Sequence, residues 1–155
     1  MNQNLDVGGG KRKEGWITID QNKEADINHD LNIFPYPLKS YSFSQIRVFH
    51  SLEHLKEPLQ VMEELFRVAK DKCIIHIKVP YWKMDFPIRN LTHRHALHPD
   101  CFKNLHLGSI IWEREMKDNC KVNWKFIRDK KIRGKHNKLK IYEYEVLLYA
   151  DKENI

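Results

Sequence analysis

Three consecutive glycines, Gly8 to Gly10, follow a short apolar segment near the start of the chain. That segment, Asn4 to Val7, predicts a buried strand, and the glycines predict a tight turn in which the backbone can approach a ligand closely. A second predicted strand, Trp16 to Asp20, is rich in β-branched residues. Only nine residues separate Gly10 from Asp20. Because a parallel crossover usually needs a dozen or more residues, we expect the usual helix here to be reduced to a turn.

The middle of the chain alternates helix-like and strand-like patterns. Apolar residues recur at helical spacing from Pro58 through Ala69, and proline suits the first turn of a helix. The charged segment Lys70-Asp71-Lys72 predicts a break after that helix, and two prolines mark Asn32 to Ser44 as a loop. Short runs rich in β-formers predict three further strands, at Ala25 to Asp30, Gln45 to His50 and Cys73 to Val79.

The last third of the chain predicts a hairpin. Pro99 to Leu105 is a short helix candidate, and Lys121 to Ile132 and Leu139 to Ala150 predict two long strands joined across Gly134. Strands that alternate with a helix and loops and then end in a hairpin are typical of α/β proteins. We therefore predict a Rossmann-like open, mostly parallel sheet with helices on its faces and a C-terminal antiparallel hairpin.

Length and composition exclude several classes of protein. A chain of 155 residues with 41% hydrophobic and 31% charged residues suits a single globular domain over residues 1–155, not a disordered chain. No apolar run approaches the roughly eighteen residues of a transmembrane helix, and the polar N-terminus does not resemble a signal peptide. Three widely spaced cysteines disfavour a disulfide framework and favour a cytoplasmic protein without membrane contact.

The net charge of +6 is concentrated in residues 117–140, where ten lysines and arginines stand against two acids. Such asymmetry is typical of chains that bind RNA or another polyanion. Trp124 and Phe126 alternate with Lys121, Lys125 and Arg128, which resembles surfaces that combine stacking and positive charge. The alternative interpretation is a hairpin with solvated lysines on one face and buried aromatic residues on the other.

Acidic residues end the second and third predicted strands. Ligands of open α/β sheets bind beyond the carboxyl ends of the strands, so these residues are candidates for a site. Asp20 can accept hydrogen bonds from both hydroxyls of a ribose. Asp30 can bind the amino group of an adenine while Leu31 packs on the base. Together with the glycine turn, this order of residues favours a ligand that contains a nucleoside.

A series of short motifs follows in order along about residues 4 to 105. The motifs are Leu5 to Gly10, Ile17 to Asp20, His29 to Asn32 with Phe34 to Pro37, His50 to Leu55, Glu63 to Val68 with Val79-Pro80, and Thr92 to His95. This series resembles the class I S-adenosylmethionine-dependent methyltransferases. The resemblance implies a cofactor-binding core over residues 4–105, followed by the basic C-terminal hairpin over residues 117–150.

The resemblance implies a role in cofactor binding for each motif. The turn, with Asp6 and glycines Gly8, Gly9 and Gly10, would contact the methionyl part of S-adenosylmethionine. Asp20 would hold the ribose, and Asp30 with Leu31 would hold the adenine. His50 and Ser51 would lie beneath the cofactor, near its sulfonium.

The implied activity is transfer of a methyl group to an oxygen or nitrogen nucleophile of an unidentified acceptor. The acceptor would be faced by Tyr81, Trp82, His93 and His95. A general base assists transfer to a hydroxyl or amine, and imidazole titrates near neutral pH. The candidates for that base are His54, His93 and His95, and we favour His93 or His95 because the loop after the fifth strand should admit the acceptor.

Two features depart from the family pattern. Arg12 stands where a further glycine is expected, and the short crossover lacks the helix whose N-terminus would bind the carboxylate of the cofactor. We expect Lys11 or Arg12 to supply that positive charge. The N-terminal helices that often cap the cofactor are also absent before the first strand. We therefore expect a site that is open or completed by a partner chain, such as the second copy of a homodimer.

The same sequence allows four alternative interpretations. His50-x-x-Glu53-His54 spells the motif of inverted zinc proteases, but His50 ends a strand instead of lying on a helix. A nicotinamide-binding domain would need glycine at Lys13 and a later acid. A catalytically degenerate binding module would hold RNA or a protein through the basic hairpin. The fourth is a zinc cluster formed by His93, His95, His98 and Cys101. We do not favour this cluster and therefore predict no metal site.

Overall fold

The computed structural model describes residues 3–81, 90–106, 122–133 and 142–153. Within these ranges the chain forms seven strands, two α-helices and a 3-10 helix at Leu52–His54. Neither of these α-helices has the length and hydrophobicity needed to cross a lipid bilayer. The elements are β1 (Gln3–Val7), β2 (Ile17–Asp20), β3 (Ile27–Asn28), β4 (Phe43–Phe49), α1 (Pro58–Val68), β5 (Ala69–Pro80), α2 (Pro99–Lys103), β6 (Trp124–Arg133) and β7 (Tyr142–Ala150).

All seven strands belong to one sheet with the order β3-β2-β1-β4-β5-β7-β6. β1 lies in the middle of the parallel part, where Leu5 pairs with Ile17 of β2 and with Ile46 of β4. β7 runs antiparallel to both of its neighbours, β5 and β6. The structure confirms the predicted mostly parallel sheet with a C-terminal antiparallel hairpin. It adds that β7 inserts between β5 and β6, which places β6 at the edge.

The connection from β1 to β2, residues 8–16, contains no helix. A backbone bridge between Lys13 and Trp16 closes it instead. The Lys13 ammonium reaches the Asp6 carboxylate of β1, and the Trp16 ring lies against the guanidinium of Arg47 on β4. The structure thus confirms the shortened crossover. Two side chains of the turn contact the sheet face over which a crossover helix would otherwise pack.

The core lies between the sheet and α1. Helical spacing places Met62 and Leu65 on one buried face of α1. Trp124 of β6 is fully buried against this helix. Its Nε1–H donates to the Met62 carbonyl oxygen at 3.1 Å, and its ring meets the Phe66 ring edge-on. Trp124 is therefore a core residue. The interpretation of Trp124 as an exposed platform for nucleic-acid bases is wrong.

The predicted break between α1 and the fifth strand is also wrong. β5 begins at Ala69, directly after α1, and passes through the charged segment that precedes Cys73. Lys72 adopts a left-handed conformation with φ of 57°, and the register between β4 and β5 shifts nearby. The irregular backbone at Lys72 thus lets β5 include the charged segment, which the sequence predicts to be a break before the strand.

Other boundaries differ by a few residues. β3 is confined to Ile27–Asn28 because Asp26 Oδ2 accepts hydrogen bonds from the backbone N–H and hydroxyl of Thr18, at 2.9 and 2.8 Å. A side chain thus replaces the backbone ladder before Ile27. α2 ends at Lys103, two residues earlier than predicted. Lys121 and the predicted turn at Gly134 lie outside the described residues.

Candidate functional site

A cleft of about 620 Å³ opens at the carboxyl ends of β1, β2, β3 and β4. This is the edge at which open α/β sheets bind their ligands. Residues from five separate motifs of the sequence meet there, and the last of these motifs, Thr92 to His95, lies in the loop that precedes α2. The described residues that line the cleft are Gly8, Asp20, Gln21, Asp30, Leu31, Asn32, His50, Ser51, His54, Leu55, Leu91, Thr92 and Arg94.

The glycine turn forms the floor of this cleft beside Ser51. Gly8 has φ of 71°, and a Cβ at this position would collide with the Ser51 side chain. The Ser51 hydroxyl lies 3.3 Å from the carbonyl oxygens of Val7 and Gly8 and 3.1 Å from that of Phe49, so it can donate to any of the three. Ser51 therefore holds the end of β1 against the end of β4, and only glycine fits at position 8.

Asp6 lies beneath the turn and not among the residues that line the cleft. Its carboxylate would collide with a Cβ at Gly9. Asp6 Oδ2 accepts hydrogen bonds from Lys13 Nζ and Arg47 Nη2, each at 2.8 Å. Although burial opposes ionisation, these two cations hold the pKa of Asp6 below its usual range. The geometry thus makes Asp6 a support of the glycine turn.

Asp20 ends β2 at the rim of the cleft, and its carboxylate is fixed by backbone groups. Oδ2 accepts a hydrogen bond from the Gly10 N–H at 3.0 Å, and Oδ1 accepts one from the Asn22 N–H at 2.8 Å. The positive φ of Gly10, 73°, turns its N–H toward this carboxylate. Gly10 itself is not among the described residues that line the cleft.

Asp30 and Leu31 follow β3 and line the cleft, and Leu31 Cδ1 lies 3.8 Å from the position that a Cβ at Gly8 would take. Both the backbone and side-chain N–H groups of Asn32 donate to Asp30 Oδ1 at 2.9 Å. The backbone hydrogen bond, and then the side-chain one, lowers the pKa of Asp30. Leu31 is buried, and its carbonyl oxygen accepts a hydrogen bond from the Tyr36 hydroxyl at 2.9 Å. The site therefore presents an ionised carboxylate next to an apolar side chain.

Lys11 and Arg12 are both directed toward acids outside the cleft. Lys11 Nζ lies 2.8 Å from Glu24 Oε2, and Arg12 Nε lies 3.1 Å from Asp26 Oδ1. Both cationic side chains are about three-quarters exposed, at 73% and 74%. A contact between either cation and a ligand would require these exposed ion pairs to exchange, which costs little because such pairs are weak.

His50 follows β4 in a strained backbone conformation, with φ of 53°. Its ring lies between two buried carboxylates, with Nδ1 3.6 Å from Glu53 Oε1 and Nε2 3.4 Å from Glu143 Oε2. Glu53, and then Glu143, raises the pKa of His50 against the opposing effect of burial. The two carboxylates therefore favour the protonated form of the His50 imidazole.

The loop before α2 folds back onto the 3-10 helix. The backbone N–H groups of Arg94 and His95 both donate to the Glu53 carbonyl oxygen, at 2.8 and 3.2 Å. His54 Nδ1 lies 3.0 Å from the Thr92 carbonyl oxygen, and the rings of His54 and His93 meet edge-on with centroids 4.7 Å apart. The structure thus brings His54 and His93 together.

The remaining predicted residues lie apart from that pair. His95 Nε2 lies 3.2 Å from the Lys56 carbonyl oxygen. Tyr81 packs against Tyr144 with ring centroids 5.2 Å apart, and the Lys131 ammonium lies 3.9 Å from the centre of its ring. Neither His95 nor Tyr81 is among the described residues that line the cleft. Trp82 lies outside the described residues.

Sequence reasoning missed three charged residues of this region. Arg94 lines the cleft, although it was considered only as part of a motif. Glu143 comes from β7 and reaches His50 across the sheet, which no local pattern predicts. Glu53 is 1% exposed and belongs to the motif His50 to Leu55 and to the protease motif, but the methyltransferase resemblance assigned it no role. The unusual spacing His50-x-x-Glu53-His54 was the available signal for the buried carboxylate.

No family model matches the chain, and no curated protein matches it. Solved structures do. A chain from the complex between the Haloferax volcanii Trm112 methyltransferase activator and a putative methyltransferase matches with a TM-score of 0.66, at 10% identity, over 97% of this chain and 83% of that chain.

Two further matches are SAM-dependent methyltransferases. The protein from Aquifex aeolicus has a TM-score of 0.62 at 18% identity, over 96% of this chain and 82% of that chain. The protein from Archaeoglobus fulgidus has a TM-score of 0.61 at 17% identity, over 96% and 86%. At such low identity the likeness concerns the fold. With its strand order and antiparallel β7, the chain therefore has the fold of the class I S-adenosylmethionine-dependent methyltransferases.

Proposed function

We propose that this chain binds S-adenosylmethionine in the cleft and transfers its methyl group to an oxygen or nitrogen nucleophile. The observation that carries the proposal is the meeting of Gly8, Asp20, Asp30, Leu31 and Ser51 at one edge of the sheet. These residues come from separate motifs, each of which suggests a contact with a different part of this cofactor. A volume of about 620 Å³ is also in the range of clefts that bind small molecules.

The residues of the cleft fit such a cofactor. Gly8 exposes backbone where any side chain would collide with Ser51, so a ligand can approach the main chain closely. Asp20 is held in place by the N–H groups of Gly10 and Asn22, which suits a carboxylate that accepts hydrogen bonds from ribose hydroxyls. Among the described contacts, those of Asp30 fall on Oδ1, so its Oδ2 can accept from an adenine amino group.

The sulfonium of the cofactor supplies an electrophilic methyl group, so the protein's task is to align the reactants and exclude water. In the proposal, Asp20, Asp30 and Leu31 fix the nucleoside, and Ser51 keeps the glycine turn in register with β4. Asp6 supports the same turn from below. Lys11 would bind the cofactor's carboxylate after leaving Glu24.

Proton removal from the acceptor falls to a histidine of the loop cluster. A carbonyl oxygen can only accept, so the contact of His54 Nδ1 with the Thr92 carbonyl oxygen implies a proton on Nδ1. In the neutral ring Nε2 then carries the lone pair that a general base needs. Because His54 also lines the cleft, we now favour it over His93 and His95.

A second candidate function is a binding module. Arg128, Lys130 and Lys131 of the edge strand β6 are exposed, which favours contact with a polyanion such as RNA. The similar structure from Haloferax volcanii is a complex with an activator protein, which supports the proposal that this chain binds a partner protein. An exposed edge strand is also compatible with a homodimer. A steep fall of RNA affinity with salt, without any cofactor binding, would favour this second function.

Equilibrium dialysis against S-adenosylmethionine labelled in its methyl group tests the first function. We expect saturable, equimolar binding that S-adenosylhomocysteine displaces and NAD does not. Addition of acceptor mixtures should then move the label into a new product. Absence of saturable binding would contradict the proposal, whereas binding without transfer to any acceptor class would leave a cofactor-dependent binding protein.

A further inference from the structure

Three side chains of the types that can bind metals lie close together at the cleft. Glu53 and His54 belong to the 3-10 helix, and His93 comes from the loop before α2. One donor atom of each lies within 4.8 Å of the donor atoms of the other two. The fold therefore assembles two imidazoles and one carboxylate from distant parts of the chain.

The buried carboxylate of Glu53 has no hydrogen-bond donor among the described residues, and its ion-pair partner, the His50 ring, is shared with Glu143. The Glu53 side chain is 1% exposed, and neither carboxylate oxygen accepts a hydrogen bond in the described structure. His50 Nδ1 lies 3.6 Å from Oε1, which is beyond hydrogen-bond distance. Burying an ionised carboxylate is strongly unfavourable unless a cation or several donors compensate it. A cation close to Glu53 would meet this requirement.

The ring of His54 is prepared for such a cation. Its Nδ1–H donates to the Thr92 carbonyl oxygen at 3.0 Å, which leaves the lone pair on Nε2. Metal-binding histidines typically donate the other ring N–H to a carbonyl or carboxylate in this way, which fixes the ring orientation. The same loop carries His93, whose backbone N–H donates to the Asn90 carbonyl oxygen at 3.0 Å. The loop thus fixes the orientation of the His54 ring and brings the His93 ring edge-on against it.

We propose that Glu53, His54 and His93 bind a divalent transition-metal ion such as Zn²⁺. Two imidazoles and a carboxylate suit these ions, and three protein ligands leave a coordination position open. Because His54 also lines the cleft, that position would be accessible from it. The proposal reverses our expectation from sequence that no metal is bound. The cluster considered there contained His93 but not Glu53 or His54.

The metal site rests on the donor set and does not depend on methyl transfer. One consequence does rest on the proposed function: with a metal bound, the lone pairs of His54 and His93 are occupied, so His54 would act as the base only in the metal-free protein. With the metal bound, an acceptor oxygen at the open position would lose its proton to solvent water more easily, because a bound cation favours the ionised form.

Titration of the chelator-treated, full-length protein with Zn²⁺, followed by calorimetry without any cofactor, tests the site. We expect one equivalent to bind, and His54→Ala and His93→Ala each to weaken binding by at least about tenfold. His95→Ala is the matched control, because His95 is on the same loop but outside the group. It should bind Zn²⁺ as the unmodified protein does. Equal affinity of all four proteins, or no saturable binding, would overturn the proposal.

A second measurement covers variants that fail to fold. In protein with labelled histidines, we expect the ring resonances of His54 and His93 to change with Zn²⁺ up to equimolar addition, while those of His95 and His98 stay constant. Changes spread over all histidines would overturn the site. His50→Asn tests whether a metal ion or the protonated His50 ring compensates the Glu53 carboxylate. We expect this variant to retain Zn²⁺ binding. Loss of Zn²⁺ binding in His50→Asn together with retained Zn²⁺ binding in His54→Ala would contradict the assignment.

Discussion

Gly10 donates its backbone N–H to the carboxylate of Asp20, with 3.0 Å between Gly10 N and Asp20 Oδ2. The glycine turn after β1 and the acid at the end of β2 therefore form one hydrogen-bonded unit at the rim of the cleft. Because the crossover between them contains no helix, this bond and the Lys13–Trp16 bridge set the shape of the turn. The proposed ribose contact thus depends on the conformation of the turn.

Asp20→Ala should weaken S-adenosylmethionine binding by at least about tenfold, because each charge-assisted hydrogen bond to a ribose hydroxyl contributes about 1.5–3 kcal/mol. Asp20→Asn keeps one acceptor oxygen, so its affinity for S-adenosylmethionine should lie between those of the unmodified protein and Asp20→Ala. Calorimetric titration measures both affinities. Glu14→Gln is the control, since Glu14 is exposed and outside the cleft. Unchanged affinity in Asp20→Ala would remove the ribose contact from the account.

Gly8→Ala should destabilise the protein by at least about 2 kcal/mol more than Gly15→Ala. Both glycines have a positive φ, 71° and 75°, so both substitutions strain the backbone. A Cβ at Gly8 also collides with Ser51, whereas a Cβ at Gly15 meets nothing within 4 Å. Urea unfolding of the two variants isolates the effect of the collision. Equal losses of stability would mean that the turn and β4 are not in contact as described.

Asp6→Asn should destabilise the protein at neutral pH by about 2–4 kcal/mol, because it leaves Arg47 and Lys13 without their buried counter-charge. Burial opposes the shift, but Arg47 and Lys13 hold the pKa of Asp6 below its usual value of 3.8. A carboxyl with a lowered pKa stabilises the folded state above that value and loses this effect as the pH falls through the folded-state pKa.

Denaturant unfolding over a pH series measures this dependence. The difference in stability between the unmodified protein and Asp6→Asn should be constant above pH 3.8 and shrink below it. Glu14→Gln, which removes an exposed carboxylate, should follow the unmodified protein throughout. A difference that grows with acidity would have the wrong sign for the described ion pairs.

Cys73 should resist alkylation in the folded protein. Burial raises the pKa of its thiol to about 12, and the side chain is 1% exposed, so little reactive thiolate is accessible. Cys101 is exposed and should react at neutral pH. Peptide mass spectrometry after treatment with iodoacetamide, with and without denaturant, compares the two. Similar labelling of both cysteines in the folded protein would contradict the described burial of β5.

Local patterns predicted much of the fold. The glycines, the β-branched runs and the helical spacing after Pro58 located most of the elements, and the short segment from Gly10 to Asp20 predicted a crossover without a helix. These signals succeed because they depend on neighbouring residues. The prediction of a break after Ala69 was wrong because one residue, Lys72, adopts a left-handed conformation, which no charge pattern indicates.

The contacts of the site were harder to predict because they join distant residues. Glu53 meets His93 only because the loop before α2 folds back, with Arg94 N–H and His95 N–H donating to the Glu53 carbonyl oxygen. Glu143 reaches His50 only because β7 inserts next to β5. Sequence order cannot predict either arrangement. The motifs therefore located candidate residues but not the electrostatic pairs that control them.

Thermal unfolding with S-adenosylmethionine, S-adenosylhomocysteine or NAD tests whether the cleft binds this cofactor. A ligand at one hundred times its dissociation constant stabilises the folded state by about 2.7 kcal/mol. For a chain of this size the account predicts a rise in Tm of about 5–10 °C with either methionine-derived ligand and none with NAD. An unchanged Tm with both methionine-derived ligands at saturating concentration would contradict a cofactor site in this cleft.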